Sequence, residues 1–314
     1  MIYIIHRKDE LVEDLKKQVL NSQELVKNIK FIEVSLINNN IILKFLRKIY
    51  IFFKIPRKDI WLNKKELKEI VKEDILIFFD TYTFEYLDLA NKLENKKKIW
   101  LWNQLDKSKY KYIDSIKKEF KDEIWSFDIK DCKKEGFNFL PQFYWREKDK
   151  KKILENNDLL FIGRDKGRYN LLKNILNSLE EKGVSTTGYI LKEKFKVYPD
   201  HKYIMNKFLK YSEVVELVKK SKCLLDINKD GQEGLTLRVM ESIFFEKKLI
   251  TNNKKIINYD FYTPENIYIL DDLINIDYLD IIKFINTPFQ KMEERIIKKY
   301  TFEFWLDNIL KETR

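Results

Sequence analysis

The 314-residue sequence predicts an α/β protein of two Rossmann-like, doubly wound domains, on three observations. Short apolar runs alternate with longer helical patterns through most of the chain, which is the rhythm of βαβ units feeding a parallel sheet. The rhythm lapses once, over Glu147–Asn157 (EKDKKKILENN), a charged stretch without an apolar face, and then restarts. The length suits two domains of roughly 150 residues better than one. The expected organisation is a domain over 1–150, a second over 151–290, and a final helix over 291–314, with a ligand cleft between two sheets that turn their carboxyl ends toward it.

In the first domain Ile2–Ile5, Lys30–Val34, Ile75–Phe79, Lys98–Trp102 and Ile124–Phe127 read as strands, short and almost wholly apolar, as strands covered on both faces are. Asp9–Lys27, Phe84–Leu93 and Tyr110–Phe120 read as the helices between them. Ile41–Lys54 (IILKFLRKIYIFFK) mixes Ile, Leu and Phe with Lys44, Arg47, Lys48 and Lys54. It is either a domain helix with one buried face or a basic apolar helix that lies on an anionic membrane surface.

In the second domain the strands are Leu159–Ile162, Val184–Ile190, Cys223–Ile227, Lys248–Thr251 and Ile267–Leu270. The helices are Arg168–Glu181, Glu213–Lys220, Gly234–Phe245 and Tyr278–Asn286, and a last helix over about Lys291–Lys311 follows Pro288.

With 44% hydrophobic and 35% charged residues the chain can bury real cores. Its net charge of +11 attracts an anionic partner, whether nucleic acid, a membrane face or a phosphorylated ligand. Cys132 and Cys223 lie far apart, so no disulfide framework or cysteine zinc site is expected and a reducing cytoplasm fits. The N-terminus lacks the pattern of a signal peptide, and no apolar run approaches the roughly 20 residues of a membrane span. The expectation is a cytoplasmic protein, with Ile41–Lys58 as the segment for peripheral contact with the inner face of the plasma membrane.

Several familiar sites are missing. There is no P-loop, no Gly-x-Gly-x-x-Gly fingerprint and no Gly-x-Ser-x-Gly elbow. Two histidines, His6 and His201, leave little for a histidine-rich metal site, and no Asp-x-Asp pair occurs. No metal is expected. What remains is a concentration of phosphate-compatible residues in the second domain. After the strand Leu159–Ile162 comes Gly163-Arg164-Asp165-Lys166-Gly167-Arg168, three cations and two glycines at a strand's carboxyl end. Arg and Lys offer charge-assisted hydrogen bonds to phosphate oxygens, and glycine lets backbone approach closely. The alternative is a solvated turn in which Arg168 caps local carbonyls.

A second loop tips that balance. Asp226–Asn252 reads strand, loop, helix, strand, and places the backbone N–H groups around Gly234, Leu235 and Thr236 at a helix start on the same sheet edge. The two loops could hold one diphosphate. On the helix Arg238 and Glu241 share a face. They form either a mutual ion pair or a functional couple, Glu241 accepting from ribose hydroxyls and Arg238 assisting the phosphates. Glu233 and Glu241 have seven residues between them.

These residues carry a resemblance. Asp158–Arg168 (DLLFIGRDKGR), Asp226–Glu241 (DINKDGQEGLTLRVME) and Lys247–Asn252 (KKLITN), with weaker support from Trp125–Tyr144, resemble the donor-nucleotide domain of GT-B glycosyltransferases. More narrowly they resemble bacterial lipopolysaccharide or capsular polysaccharide glycosyltransferases. The resemblance is best over about 120–255, and the final helix with Trp305 is similar to the GT-B helix that crosses back to the first domain. It implies an acceptor-binding first domain, a second domain that binds a nucleotide-diphosphate sugar as donor, and a glycan or glycolipid acceptor. It further implies Arg164 and Lys166 at the diphosphate, beside Gly163 of the same loop, Glu241 at the ribose and Glu233 near the donor sugar of a retaining enzyme. An inverting reaction would instead need a base from the first domain. His6 and Asp80, each at the carboxyl end of an expected strand, are the candidates, with Glu85 behind them; His6 can equally be a turn residue and Asp80 a helix cap. The rivals are a basic nucleic-acid-binding protein, ranked lower because no such motif is present, and a non-catalytic sugar-nucleotide binder.

Overall fold

The computed structural model describes all residues except 22–27, 38–40, 54, 57, 106–107, 147–152, 194–195, 200, 230–232 and 312–314. The expected linker lies largely within 147–152, and Lys54, Arg57, Gly231 and Gln232 also lie outside the described residues. The chain divides into two compact units, one formed by Met1–Pro141 with Trp305–Arg314, the other by Gln142–Phe304.

The first unit holds β1 (Ile2–His6), β2 (Ile29–Glu33), β3 (Ile75–Phe79), β4 (Lys96–Leu101), β5 (Ile124–Ser126) and β6 (Asn138–Phe139). They form one parallel sheet in the order β2-β1-β3-β4-β5-β6. The apolar runs are the central strands, because helices cover both faces and leave no water-facing side for polar residues. Ile4, Ile5, Leu76, Ile77, Phe78, Ile99 and Trp100 are buried accordingly. In the closing helix Phe302–Leu310, Trp305 meets Trp100 and Phe79 edge-on, with ring centroids 5.5 and 5.8 Å apart. The end of the chain thus completes the first core.

The second unit holds β7 (Asn157–Arg164), β8 (Thr186–Leu191), β9 (Ile204–Met205), β10 (Ser221–Asp226), β11 (Lys248–Thr251) and β12 (Ile267–Ile269). All are parallel, in the order β12-β11-β10-β7-β8-β9. Helix Tyr169–Glu180 lies so close to β8 that a Cβ at Gly188 would stand 2.8 Å from side-chain atoms of Leu176 and Tyr203.

Three expectations need correction. β6 and β9 are two-residue edge strands, too short to show an apolar run in sequence. The last helix is two, Glu294–Lys298 and Phe302–Leu310, because Thr301 ends one turn and its hydroxyl accepts from the Phe304 N–H to begin the next. The helix expected from Gly234 starts at Leu237, where the hydroxyl of Thr236 accepts from the N–H of Val239.

Candidate functional site

The second sheet reverses its winding at β7, with β8 on one side and β10 on the other. In such sheets the carboxyl ends of the two strands flanking the reversal diverge around a ligand crevice. β7 ends in Arg164, whose guanidinium stacks 4.2 Å over the ring of Phe208. Asp165 is fully buried and anchors the turn, accepting from the backbone N–H of Tyr169 (2.5 Å), the hydroxyl of Tyr198 (2.6 Å) and the ammonium of Lys196 (2.5 Å). Burial opposes its ionisation, but the bonds from Lys196 and Tyr198 outweigh it and hold the carboxyl below its usual range. Lys166 and Gly167 then adopt left-handed conformations, φ 44° and 83°. That turn is tolerable at glycine and strained at lysine. Arg168 donates from Nε to the Asp165 carbonyl (3.0 Å) and from Nη2 to that of Arg164 (2.6 Å), so it does cap the turn.

Across the crevice β10 ends in Asp226. Burial raises its pKa, while the Thr236 hydroxyl bond and the charges of Arg238, Arg168 and Lys166 oppose that rise. Its Oδ2 has no hydrogen-bond partner among the described residues. The Lys166 ammonium is lowered, first by desolvation and then by repulsion from Arg168, Lys229 and Arg164; desolvation also lowers Arg168. Lysine in such surroundings gains by taking up a further anion. The turn before helix Leu237–Phe244 is fixed by asparagines at the end of β11. The N–H of Asn228 donates to Asn252 Oδ1 (2.7 Å), and Asn253 Nδ2 to the Glu233 carbonyl (3.1 Å).

The structure separates the environments of the two glutamates. Glu233 is half-buried in that turn. Glu241 is fully buried on the inner face of the helix and its carboxyl pKa is raised by burial. Its Oε1 accepts from the Tyr211 hydroxyl (3.0 Å), whose oxygen lies 2.9 Å from the Tyr144 hydroxyl and can accept from it. Its Oε2 is bonded to Arg238, whose Nη2 extends to the carbonyl of Ile162 in β7 (3.5 Å). Arg238 and Glu241 therefore do pair. The pair is buried, unlike the surface ion pair that was the alternative, and it holds the guanidinium at the carboxyl end of β7. The two bonds of Glu241 leave acceptor capacity on the carboxylate, but its complete burial means that a ribose hydroxyl reaches it only if the side chains over it give way. Gly234 and Leu235 are buried in the approach to the helix.

The first sheet reverses at β1, between β2 and β3. At that point β1 ends in His6 and β3 runs into Asp80. His6 is fully buried, and burial lowers its pKa. Nδ1 lies 2.9 Å from the Arg7 carbonyl, which can only accept, so the proton sits on Nδ1, and Nε2, without a partner among the described residues, presents a lone pair. Asp80 takes a left-handed conformation, φ 52°. Its Oδ2 accepts from Asn103 (2.8 Å) and Arg7 (3.2 Å), and its Oδ1 from the N–H of Trp102 (3.1 Å). Burial nevertheless pushes its pKa up to about 6, against the pull of Arg7 and Asn103. It does not cap the following helix through these bonds. Glu85 is structural: buried, it accepts from Thr83 (2.6 Å) and pairs with Arg47 (2.7 Å).

Sequence reading had not assigned roles to Arg7, Asn103, Asp226, Lys229 or Tyr211. Asp226 carried a visible signal, an acid at a strand's carboxyl end, whereas the others act through partners remote in sequence. Among the described residues no group of three or more His, Cys, Asp or Glu could hold a metal ion, and no helix is long and apolar enough to cross a membrane.

No protein-family profile and no curated protein sequence matches the chain. Among solved structures it is similar to an alpha-glucosyltransferase in complex with UDP and a 13-mer DNA containing an HMU base, at TM-score 0.56, 13% identity and 99% coverage of each chain. It is also similar to the beta-glucosyltransferase of phage T4 (TM-score 0.46, 13% identity, covering 98% of this chain and 93% of that one). A third is the UDP-GlcNAc 2-epimerase of Methanocaldococcus jannaschii (TM-score 0.40, 12% identity, 98% of each). With the strand orders above, the first of these similarities establishes the GT-B fold.

Proposed function

We propose that this protein is a glycosyltransferase that takes a sugar from a nucleoside-diphosphate donor bound at the carboxyl edge of β7 and β10. The observation that carries the reading is the cation cluster of Arg164, Lys166, Arg168 and Lys229 at the winding reversal, in which the desolvated Lys166 is repelled by the other three, with Asp226 across the crevice. Departure of a nucleoside diphosphate builds negative charge on its phosphates, and cations held in place before the reaction lower that barrier. Lys166 and Arg164 contact the phosphates. Arg238 assists from the other side, positioned by Glu241. The N–H groups of the turn 233–236 complete the cradle, and Glu241 reaches the ribose only if the side chains that bury it give way.

Asp80 serves as the base for the acceptor hydroxyl. Its raised pKa suits proton transfer near neutrality, and three of the roughly four lone-pair sites of its carboxylate are used, which leaves one. His6 Nε2 is a base by chemistry but is sealed from solvent. This arrangement favours inversion; if the reaction instead retains configuration, Glu233 is the donor-side carboxylate. The acceptor is a glycan or glycolipid of the cell surface. A second reading, in which the acceptor is a hydroxyl on a modified DNA base, draws on the DNA-bound structure similar to this chain and on the net charge of +11.

A thermal-shift screen of nucleoside diphosphates, beginning with UDP, tests the donor site. At a ligand concentration about 100 times Kd the stabilisation is about 2.7 kcal/mol, a rise of several degrees in Tm. An unchanged Tm with every common nucleoside diphosphate refutes the reading. Product analysis with the best donor, on glycan and hydroxymethylated DNA acceptors, then separates the two acceptor classes.

A further inference from the structure

Helix Ile41–Phe52 has no buried residue, and its apolar side faces away from the unit that carries it. Two contacts define its inner side. Arg47 Nε pairs with the buried Glu85 at 2.7 Å, and the Tyr50 ring meets Trp61 edge-on at 5.4 Å. On the outer side Ile41 is 84% exposed, Ile42 69%, Phe45 63% and Phe52 79%, joined by Leu46 and by Phe53 just beyond the helix. At about 100° per residue these six side chains fall in one arc of about 140°. Exposed Lys44 and Lys48 border that arc. Elsewhere among the described residues the large exposed apolar side chains are spread singly along the sequence, and isolated ones are ordinary on a protein surface.

We propose that this face docks on an anionic lipid bilayer, with the helix lying in the interface, its Ile and Phe side chains at the headgroup–acyl boundary and Lys44 and Lys48 among the lipid phosphates. A helix with this combination gains both from burying apolar area and from attraction to anionic lipid. Charge selects the occupant. A second copy of the chain, docked face to face, would bring Lys44 and Lys48 against their own kind. A nucleic acid would satisfy the lysines and leave the apolar arc in water. The Arg47–Glu85 pair keeps the arc outward, since rolling the helix to hide it would strand a buried carboxylate. The proposal does not depend on the donor site, which lies in the other unit.

The test is sedimentation of the full chain with vesicles of phosphatidylcholine alone and of phosphatidylcholine with one-third phosphatidylglycerol, with Tm and the UDP-induced shift measured on the same preparations. The wild type should partition onto the anionic vesicles and much less onto the neutral ones. Phe45→Ser/Phe52→Ser/Phe53→Ser should lower partitioning at least about 50-fold, and Lys44→Glu/Lys48→Glu about 30-fold. Neither set touches a buried group, so Tm and the UDP-induced shift should stay as in wild type. The proposal is overturned if wild type does not sediment with anionic vesicles, or if the serine variant partitions like wild type. It is also overturned if light scattering shows a dimer that the serine variant dissociates, or if duplex oligonucleotide binding depends on the three phenylalanines.

Discussion

At the winding reversal of the first sheet one carboxylate, Asp80, is surrounded by N–H donors and a single guanidinium, whereas at the reversal of the second sheet Arg164, Lys166, Arg168 and Lys229 gather beside two buried carboxylates, Asp165 and Asp226. Both sheets have six parallel strands, and both reverse beside their first strand. The two sites therefore share a location in the fold and differ in the sign of the charge they want. Burial acts the same way on Asp80 and Asp226, raising each pKa. On the cations it acts the other way: desolvation lowers both Lys166 and Arg168, and Lys166 is lowered further by the charges of Arg168, Lys229 and Arg164. Topology fixes where a ligand goes, and the side chains at the strand ends decide what it is.

The sharpest way to break this contrast is to neutralise each site in turn. Asp80→Asn keeps the side-chain shape, and asparagine tolerates the left-handed backbone. It should lower the rate of sugar transfer about 10²- to 10⁴-fold while leaving donor binding unchanged. In the wild-type protein the transfer rate should rise with pH through about 6 as Asp80 ionises, and the residual rate of the variant should lack that limb; a limb that persists would assign the base elsewhere. Lys166→Gln should do the reverse, weakening the donor about 10- to 100-fold, the value of one charge-assisted phosphate contact, read as a rise in donor KM.

A smaller effect concerns stability. Asp80 holds its proton more tightly in the folded protein, with a pKa of about 6, than at the ordinary value of 3.8. Between those values the native state carries the extra proton, so the contribution of this group to stability falls as pH rises from about 4 to about 6 and stays low above. Asp80→Asn should therefore lack this pH dependence, its stability relative to wild type improving by on the order of 2 kcal/mol between pH 4 and pH 7, on top of a pH-independent cost because its amide NH2 faces donors that the carboxylate accepted. Urea unfolding at pH 5 and pH 7 checks the sign. The smallest effect belongs to Tyr211→Phe, which leaves Glu241 Oε1 without its donor: a loss of about 1–2 kcal/mol in stability and a modest rise in donor KM, because Arg238 is less firmly held.

How much of this was legible in the sequence follows from the range of the interactions. The sheets were, since ILIFF at β3 and LLFI within β7 are apolar runs that no half-exposed strand would carry. The anion loop was too, because Gly163–Arg168 is contiguous and follows a strand. The state of Glu241 was not: Tyr211 lies 30 residues away and Tyr144 a further 67 before that, and no pattern on the helix itself tells a surface ion pair from a buried one. Asp80 was readable as a strand-end acid, but its environment depends on Arg7, 73 residues earlier. Helix Ile41–Phe52 was readable as amphipathic and basic. Which side faces inward is set by Glu85 and Trp61, both outside it.

The division of labour between the two reversal points is tested most directly by isothermal titration of UDP into three proteins: wild type, Lys166→Gln and Asp80→Asn. Binding should be retained in Asp80→Asn and weakened about 10- to 100-fold in Lys166→Gln. Equal binding by all three, or binding lost with Asp80 and kept without Lys166, would contradict the assignment of the donor to the second sheet.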